Sequence, residues 1–278
     1  MKERISLTLD KKTLEKVDSK IDKLKVKNRS HAIELLLEKA LRSKGISKGF
    51  ILAGGKGTRL RPITHEIPKP MIPIKGRPIL EHNIELLKKY DIRDIIISIG
   101  YKGDKIKEYF GNGSKFGVKI SYVEEKQALG TAGPLRLAEK MLDDTFVMLN
   151  ADNLFEIDLD DMYTFHKSHE GSATIALTTV SDPSSYGVAK MRGDKIMDFI
   201  EKPKKEDAPS KLINAGLYIL EPEVVELVPK ETREIKIETE IFPKLAKRNE
   251  LFGYPFPGYW NDVGTMERYE NAVKEWRF

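Results

Sequence analysis

Leu52–Thr64 reads LAGGKGTRLRPIT, and it begins within a short apolar run, Phe50–Ala53, that fits a buried strand. Gly54, Gly55 and Gly57 allow a ligand to approach the backbone closely and expose several N–H groups to it. Thr58 adds a hydroxyl, Arg59 a forked cation and Lys69, in Pro68-Lys69-Pro70, a second cation. A strand opening into such a loop, with two cations beside it, suits a polyphosphate. The spacing matches neither GxxxxGK[ST] nor GxGxxG, so the two commonest phosphate-loop geometries do not apply.

Outward from this loop, apolar runs alternate with helical patterns. Ile79–Tyr90, Gly103–Phe110 and Ala132–Met141 read as helices; Asp94–Ile99, Val118–Tyr122 and Thr145–Leu149 read as strands. That alternation predicts an α/β body, a Rossmann-like mixed, mostly parallel sheet flanked by helices. Later strands, over 173–180, 186–191 and 213–220, interleave with helices less regularly, so a mixed sheet is expected there. Residues 45–49 read as a linker, which divides the chain into 1–46 and 47–278.

The 278 residues are 40% hydrophobic and 33% charged, as in a soluble globular protein. No apolar run reaches the roughly 20 residues of a bilayer helix. MKERISLTLD lacks a signal-peptide core, so no membrane and a cytoplasmic setting are expected. With no cysteine there are no disulfides, thiolate metal sites or cysteine nucleophiles. Residues 1–48 hold 14 basic and 7 acidic side chains, net +7, whereas the remainder holds 34 and 36, net −2. Such asymmetry points the N-terminal part toward a polyanion. His166 and His169 lie three apart with no carboxylate–histidine cluster around them, and read as part of a surface helix.

LAGGKGTRLRPIT is followed by ALGTAGP (Ala128–Pro134), LNADN (Leu149–Asn153), YGV (Tyr186–Val188), EKP (Glu201–Pro203), NAG (Asn214–Gly216), IETEIFP (Ile237–Pro243) and WNDVGT (Trp260–Thr265). This ordered series resembles the sugar-1-phosphate nucleotidyltransferases, over residues 49–275, and looks most like their mannose-1-phosphate guanylyltransferase branch. The resemblance implies joining a nucleoside triphosphate, GTP foremost, to a sugar 1-phosphate, with pyrophosphate released. Glucose 1-phosphate with dTTP or UTP, and heptose or amino-sugar phosphates, stay open. It also implies Mg²⁺ on Asp152 and Asp262, with Arg59 and Lys69 on the phosphates. The nucleotide would lie over Leu52, Ala53 and Gly54, and near Gly130 and Thr131. The sugar phosphate would meet Lys202, and the sugar Glu201, Asn214, Gly216 and the backbone of Gly187.

Residues 3–9 alternate strictly, with Ile5, Leu7 and Leu9 facing one way and Arg4, Ser6 and Thr8 the other. Asp10 and then Ser30 stand where helix caps belong. One strand and two helices in about 46 residues cannot close a core alone, so the strand needs the same strand of a second chain. This resembles the ribbon-helix-helix DNA-binding domains and implies a homodimer. Arg4, Ser6 and Thr8 would then face the bases, and Asn28, Arg29 and Ser30 a phosphate. The open alternatives are a regulator that senses a sugar nucleotide, and an enzyme whose ribbon only dimerises it.

Overall fold

The run that opens the glycine-rich loop forms the central strand of the protein. In chain order the strands are β1 (Lys48–Ala53), β2 (Pro73–Ile74), β3 (Arg77–Pro78), β4 (Asp94–Ile99), β5 (Lys119–Glu124), β6 (Phe146–Asn150), β7 (Asn153–Phe155), β8 (Ala173–Thr179), β9 (Gly187–Arg192), β10 (Lys195–Glu201), β11 (Leu212–Leu220), β12 (Leu251–Pro255) and β13 (Trp260–Asp262). These come from a computed structural model that describes residues 5–21, 26–41 and 45–277. Nine strands form one sheet in the order β5-β4-β1-β6-β11-β8-β12-β10-β9. β1 pairs in parallel with both β4 and β6, and β11 runs antiparallel to β6 and β8. The expected mixed character is present and sets in at β11, but the sheet is not mostly parallel: four neighbouring pairs are parallel and four antiparallel, because β11, β10 and β9 run against their neighbours.

Strand β1 is buried on both faces, which a sheet covered on both sides requires. Its alternate side chains enter two cores. Ile51 and Ala53 join Ile95, Ile97, Leu149 and the helix Ile79–Lys89 on one face. Phe50 joins Ile96, Met148, Phe146 and the helix Phe242–Lys247 on the other. Each fully buried Ile or Phe contributes about 1.5–3 kcal/mol. The strand order reverses between β4 and β6, so the carboxyl ends of β1 and β6 open a crevice at a topological switch point.

A third apolar cluster lies outside the sheet and contains Leu60, Ile72, Ile74, Ile79, Leu154, Val263, Ala272 and Trp276. It joins chain segments that sequence separates widely, among them those that carry Arg59, Lys69, Asp152 and Asp262. No helix among the described residues is long and apolar enough to cross a membrane.

Two compact units result, Met1–Gly45 and Ile46–Phe278. The expected linker is shorter than its composition implied: Ile46 is buried, and Lys48 and Gly49 already belong to β1. In the first unit, the helix Lys11–Asp18 is capped as expected, Thr13 N donating to the Asp10 carboxylate at 3.0 Å. The helix Arg29–Leu41 departs from expectation. Asn28, not Ser30, caps it, its side-chain oxygen accepting from His31 N at 3.0 Å. Residues 5–10, where a strand was expected, form no strand and pair with none among the described residues. Ile5, Leu7 and Leu9 accordingly stand 66, 53 and 38% exposed. Arg4 lies outside the described residues, whereas Ser6 and Thr8 are exposed.

Candidate functional site

Three of the loop's residues explain its shape. A Cβ on Gly54 would fall 2.2 Å from Glu125 Oε1, so only glycine lets that carboxylate close over the loop. Gly57 has φ +61°, the left-handed region that glycine tolerates best. Leu60 then drops into the third cluster and pins the far side of the turn. Thr64 Oγ1 donates to Gly57 O at 2.9 Å and closes the loop on itself. Arg59 is held between these anchors.

The two aspartates come from distant segments brought together by backbone pairing. Ala151 N donates to Leu52 O at 3.0 Å, which fixes the exit of β6 beside β1. β13 pairs antiparallel with β7, placing Asp262 opposite Asn153, and Val263 N donates to Asp152 O at 3.0 Å. Lys69 is almost fully buried at 8% exposure, and its ammonium bonds Asp152 and lies 3.6 Å from Asp262 Oδ1. Burial and the neighbouring Asp152 charge raise the Asp262 pKa above the usual carboxylate range, against the opposing pull of Lys69, Arg268 and Arg59.

That donor set can hold a hard divalent cation. It is all oxygen, it carries two like charges in close company, and it faces a phosphate-type loop. Two aspartates are too few to enclose an ion, and among the described residues no group of three His, Cys, Asp or Glu side chains is placed to do so. Phosphate oxygens and water would have to complete the shell, as suits Mg²⁺.

The crevice encloses about 410 Å³ and is lined by the whole expected nucleotide set, namely Leu52, Ala53, Gly54, Gly55, Gly57, Thr58, Gly130 and Thr131, and by Arg59, Lys69 and Asp152. Gly130 has φ +77°, and a Cβ there would meet Ile235 O at 2.5 Å. Thr131 Oγ1 bonds the Glu238 carboxylate and accepts from Ile237 N at 3.0 Å.

The expected sugar residues do not line this crevice; they cluster around β9, β10 and β11. Gly187 pairs with Glu201, and Lys202 N donates to Tyr186 O at 2.9 Å. Lys202 has its side chain 62% exposed, 3.5 Å from Glu201 Oε1. Asn214 is spent locally: its Oδ1 accepts from Gly216 N at 2.8 Å and its Nδ2 donates to Tyr218 OH at 2.9 Å. These bonds span an irregularity in the β8–β11 register, so this motif builds a bulge.

Residues 48–277 match the family profile of nucleotidyl transferases. The chain belongs to the nucleotidyl transferase family. It is 43% identical over 227 residues to a mannose-1-phosphate guanyltransferase of Candida glabrata, a match covering 78% of this chain and 61% of that protein. A Saccharomyces cerevisiae mannose-1-phosphate guanyltransferase is 41% identical over 224 residues, with the same two coverages of 78% and 61%. The chain thus spans about three-fifths of the length of these relatives. Among solved structures, HddC from Yersinia pseudotuberculosis, complexed with GMP-PN, superposes with a TM-score of 0.70 at 27% identity, covering 84% of this chain and all of that one.

Three carboxylates and one arginine of this nucleotidyl transferase escape a sequence reading. Glu125 lines the crevice, accepting from Ser98 Oγ at 2.8 Å and from Leu129 N at 3.2 Å, and burial raises its pKa. Glu234 also lines it. Glu238 lies in a π-helical turn, Ile237–Ile241, and burial raises its pKa too. Arg268 Nη1 bonds Asp262 Oδ2 at 2.7 Å. Glu125 stands in a charged run, EEK, that looks like solvated surface; Arg268 stands at a helix start, where a cation has no local reason to be.

The histidines correct a sequence expectation. His166 is 1% exposed, and it packs inward with Nδ1 2.8 Å from Thr174 Oγ1 and Nε2 3.1 Å from Glu221 Oε1. A single helix can present one histidine to the core and another near its edge, where His169 Nε2 meets Asp194 at 3.1 Å.

Proposed function

We propose that the body of this protein transfers a nucleotidyl group from GTP to mannose 1-phosphate, giving GDP-mannose and pyrophosphate in the cytoplasm. One observation carries the reading: the glycine-rich loop, Arg59, Lys69 and the Asp152–Asp262 pair converge where β1 and β6 end. A sugar-phosphate oxygen attacks the α-phosphorus, the new P–O bond forms, and the bond to the β-phosphate oxygen breaks. No general base is needed, because a phosphate monoester loses its second proton near pH 6. Positioning and charge neutralisation remain, as in other phosphoryl chemistry. Asp152 and Asp262 would hold Mg²⁺, which when bound would supply charge neutralisation at the α-phosphate. Arg59 and Lys69 hold the triphosphate and the leaving pyrophosphate, the loop N–H groups face the phosphates, Lys202, just after β10, meets the sugar phosphate, and Glu201, at the end of β10, meets the sugar hydroxyls.

Glu125 supports guanine over the other bases. Each of its oxygens has one protein donor and can take another. Only guanine offers two adjacent donors, N1–H and the N2 amino group, to such a pair. Adenine and cytosine present a ring acceptor there, and uracil or thymine a single N–H between carbonyls. The guanyltransferase relatives point the same way. The test is to supply GTP, ATP, CTP, UTP and dTTP in equal amounts with mannose 1-phosphate and identify the nucleotide sugar by mass. GDP-mannose is expected to dominate; a UDP- or dTDP-sugar in excess would overturn the base assignment.

The exposed Ile5, Leu7 and Leu9 favour a second reading for the first unit. Two copies pair through residues 3–9 and bind DNA with Arg4, Ser6 and Thr8. The second helix contributes less to a phosphate site than its sequence implied. The Arg29 guanidinium is bound to Asp18 at 2.6 and 2.8 Å, and the Asn28 side chain already occupies His31 N. Sedimentation should give a dimer that Leu7→Glu dissociates. Binding to duplex DNA should fall steeply with salt. A flat salt response, or a monomer, rules this reading out.

A further inference from the structure

Arg268 is the third residue of the helix Met266–Glu275, whose cap, Thr265 Oγ1, accepts from Arg268 N at 3.4 Å. A cation in the first turn of a helix opposes the helix dipole. Something must outweigh that, and the structure shows what. The guanidinium bonds Asp262 Oδ2 at 2.7 Å and lies 5.0 Å from the centre of the Tyr186 ring. Tyr186 in turn meets Trp260 edge-on, at 5.5 Å between ring centres. Gly264 closes the remaining side: a Cβ there would stand 2.8 Å from Asp262 Oδ1 and 3.0 Å from Oδ2.

We propose that Arg268 is a positioning residue, which engages one oxygen of Asp262 so that the other, Oδ1, is held toward Lys69 and the cation site. The inference rests on the reading of Asp152 and Asp262 as the cation's ligands. Two effects of removing Arg268 compete. Loss of a positive charge makes the aspartate pair more negative and favours a cation. Loss of the hydrogen bond lets the Asp262 carboxylate turn away. Groups that hold a metal-ligating side chain typically change metal affinity 10- to 100-fold when removed, and in the weakening direction. Orientation therefore outweighs charge here.

The experiment titrates Mn²⁺ into the full chain saturated with a non-hydrolysable GTP analogue and follows protein-bound Mn²⁺ by electron paramagnetic resonance, against the analogue alone, for wild type, Arg268→Leu, Arg268→Lys and Asp152→Ala. The leucine variant is expected to bind Mn²⁺ roughly 10- to 100-fold more weakly. The lysine variant, which keeps the charge and one donor, should fall between it and wild type. In turnover, kcat should drop in the leucine variant while KM for GTP stays within about twofold. Equal or tighter Mn²⁺ binding by Arg268→Leu overturns the inference. So does a raised KM for the sugar 1-phosphate with Mn²⁺ binding intact, which would make Arg268 a substrate contact. Wild type and Asp152→Ala binding Mn²⁺ alike would overturn the aspartate reading itself. If the leucine variant does not fold, the lysine variant decides: Mn²⁺ affinity and kcat equal to wild type overturn the inference, and intermediate values support it.

Discussion

The two ends of the nine-stranded sheet carry polar clusters of similar make-up and opposite character. At the carboxyl end of β6 stand Asp152, Asp262, Lys69 and Arg268. At its amino end, Thr145 meets Glu221, which follows β11. There Glu221 takes hydrogen bonds from Thr145 Oγ1 at 2.7 Å and Lys167 Nζ at 2.6 Å, and faces His166 at 3.1 Å. Burial raises the Glu221 pKa, but the bonds from Lys167, Thr145 and His166 together outweigh it and hold the group below its usual range. Burial keeps His166 low as well. At the other end, burial and a like charge leave Asp262 raised despite three nearby cations. The surroundings of Glu221 favour its charged form on balance, whereas those of Asp262 do not, although Arg268 and Lys69 engage it; Asp262 lies beside Asp152, which lines the crevice. Carboxylates whose pKa is raised by burial and a like charge cluster at functional sites.

The largest effect should come from the end that carries Asp262. Asp152→Ala should lower turnover by on the order of 10³-fold with the melting temperature nearly unchanged. Retained turnover would remove this aspartate from the chemistry.

Glu125→Gln should come next. Its amide nitrogen opposes one guanine donor, so kcat/KM for GTP should fall roughly 100-fold, while the other triphosphates lose little. On the proposed reading, guanine recognition requires the ionised carboxylate of Glu125, whose pKa burial has raised. Protonation on acidification turns an acceptor into a donor. KM for GTP should therefore climb at a pH above the ordinary glutamate range, and a pH profile of the glutamine variant should lack that climb. Parallel profiles would separate Glu125 from the base.

Gly264→Ala should cost about 10-fold in activity, because its Cβ presses on both oxygens of Asp262. Crowding of this kind alters position, not charge, so activity alone should respond, and an equal loss of stability would show that Gly264 mainly shapes the turn.

At the opposite end, Glu221→Gln should leave kcat alone and cost about 1–3 kcal/mol of stability at neutral pH. A depressed carboxylate pKa stabilises the fold above its unfolded value and loses that contribution as pH falls through the folded one. The difference between wild type and variant should thus shrink on acidification through the region below pH 4.5. A difference that grows instead would mean Glu221 is strained, and the contrast between the ends would fail.

Much of this arrangement was legible beforehand. Asp94–Ile99 and Gly103–Phe110 form the strand and helix their periodicity requires, and every residue of the expected nucleotide set lines the crevice. What stayed hidden depended on distant partners. β10 buries Ile196 and Phe199, three apart, because a bulge between Ile196 and Asp198 breaks the two-residue period. β12, LFGYP, has no strand reading in the sequence, since its glycine and terminal proline are poor strand formers. Glu125 and Arg268 gain meaning only from Gly54 and Asp262, 71 and 6 positions away. The third apolar cluster, which anchors Leu60, Leu154 and Val263 beside Arg59, Asp152 and Asp262, has no signature in any one segment.

The most direct test measures pyrophosphate release from GTP and mannose 1-phosphate with Mg²⁺, side by side for wild type, Asp262→Ala and Glu221→Gln. The end that carries Asp262 is the catalytic one if release is lost in Asp262→Ala and kept in Glu221→Gln. Release that survives in Asp262→Ala, or disappears equally in both variants, would contradict that assignment.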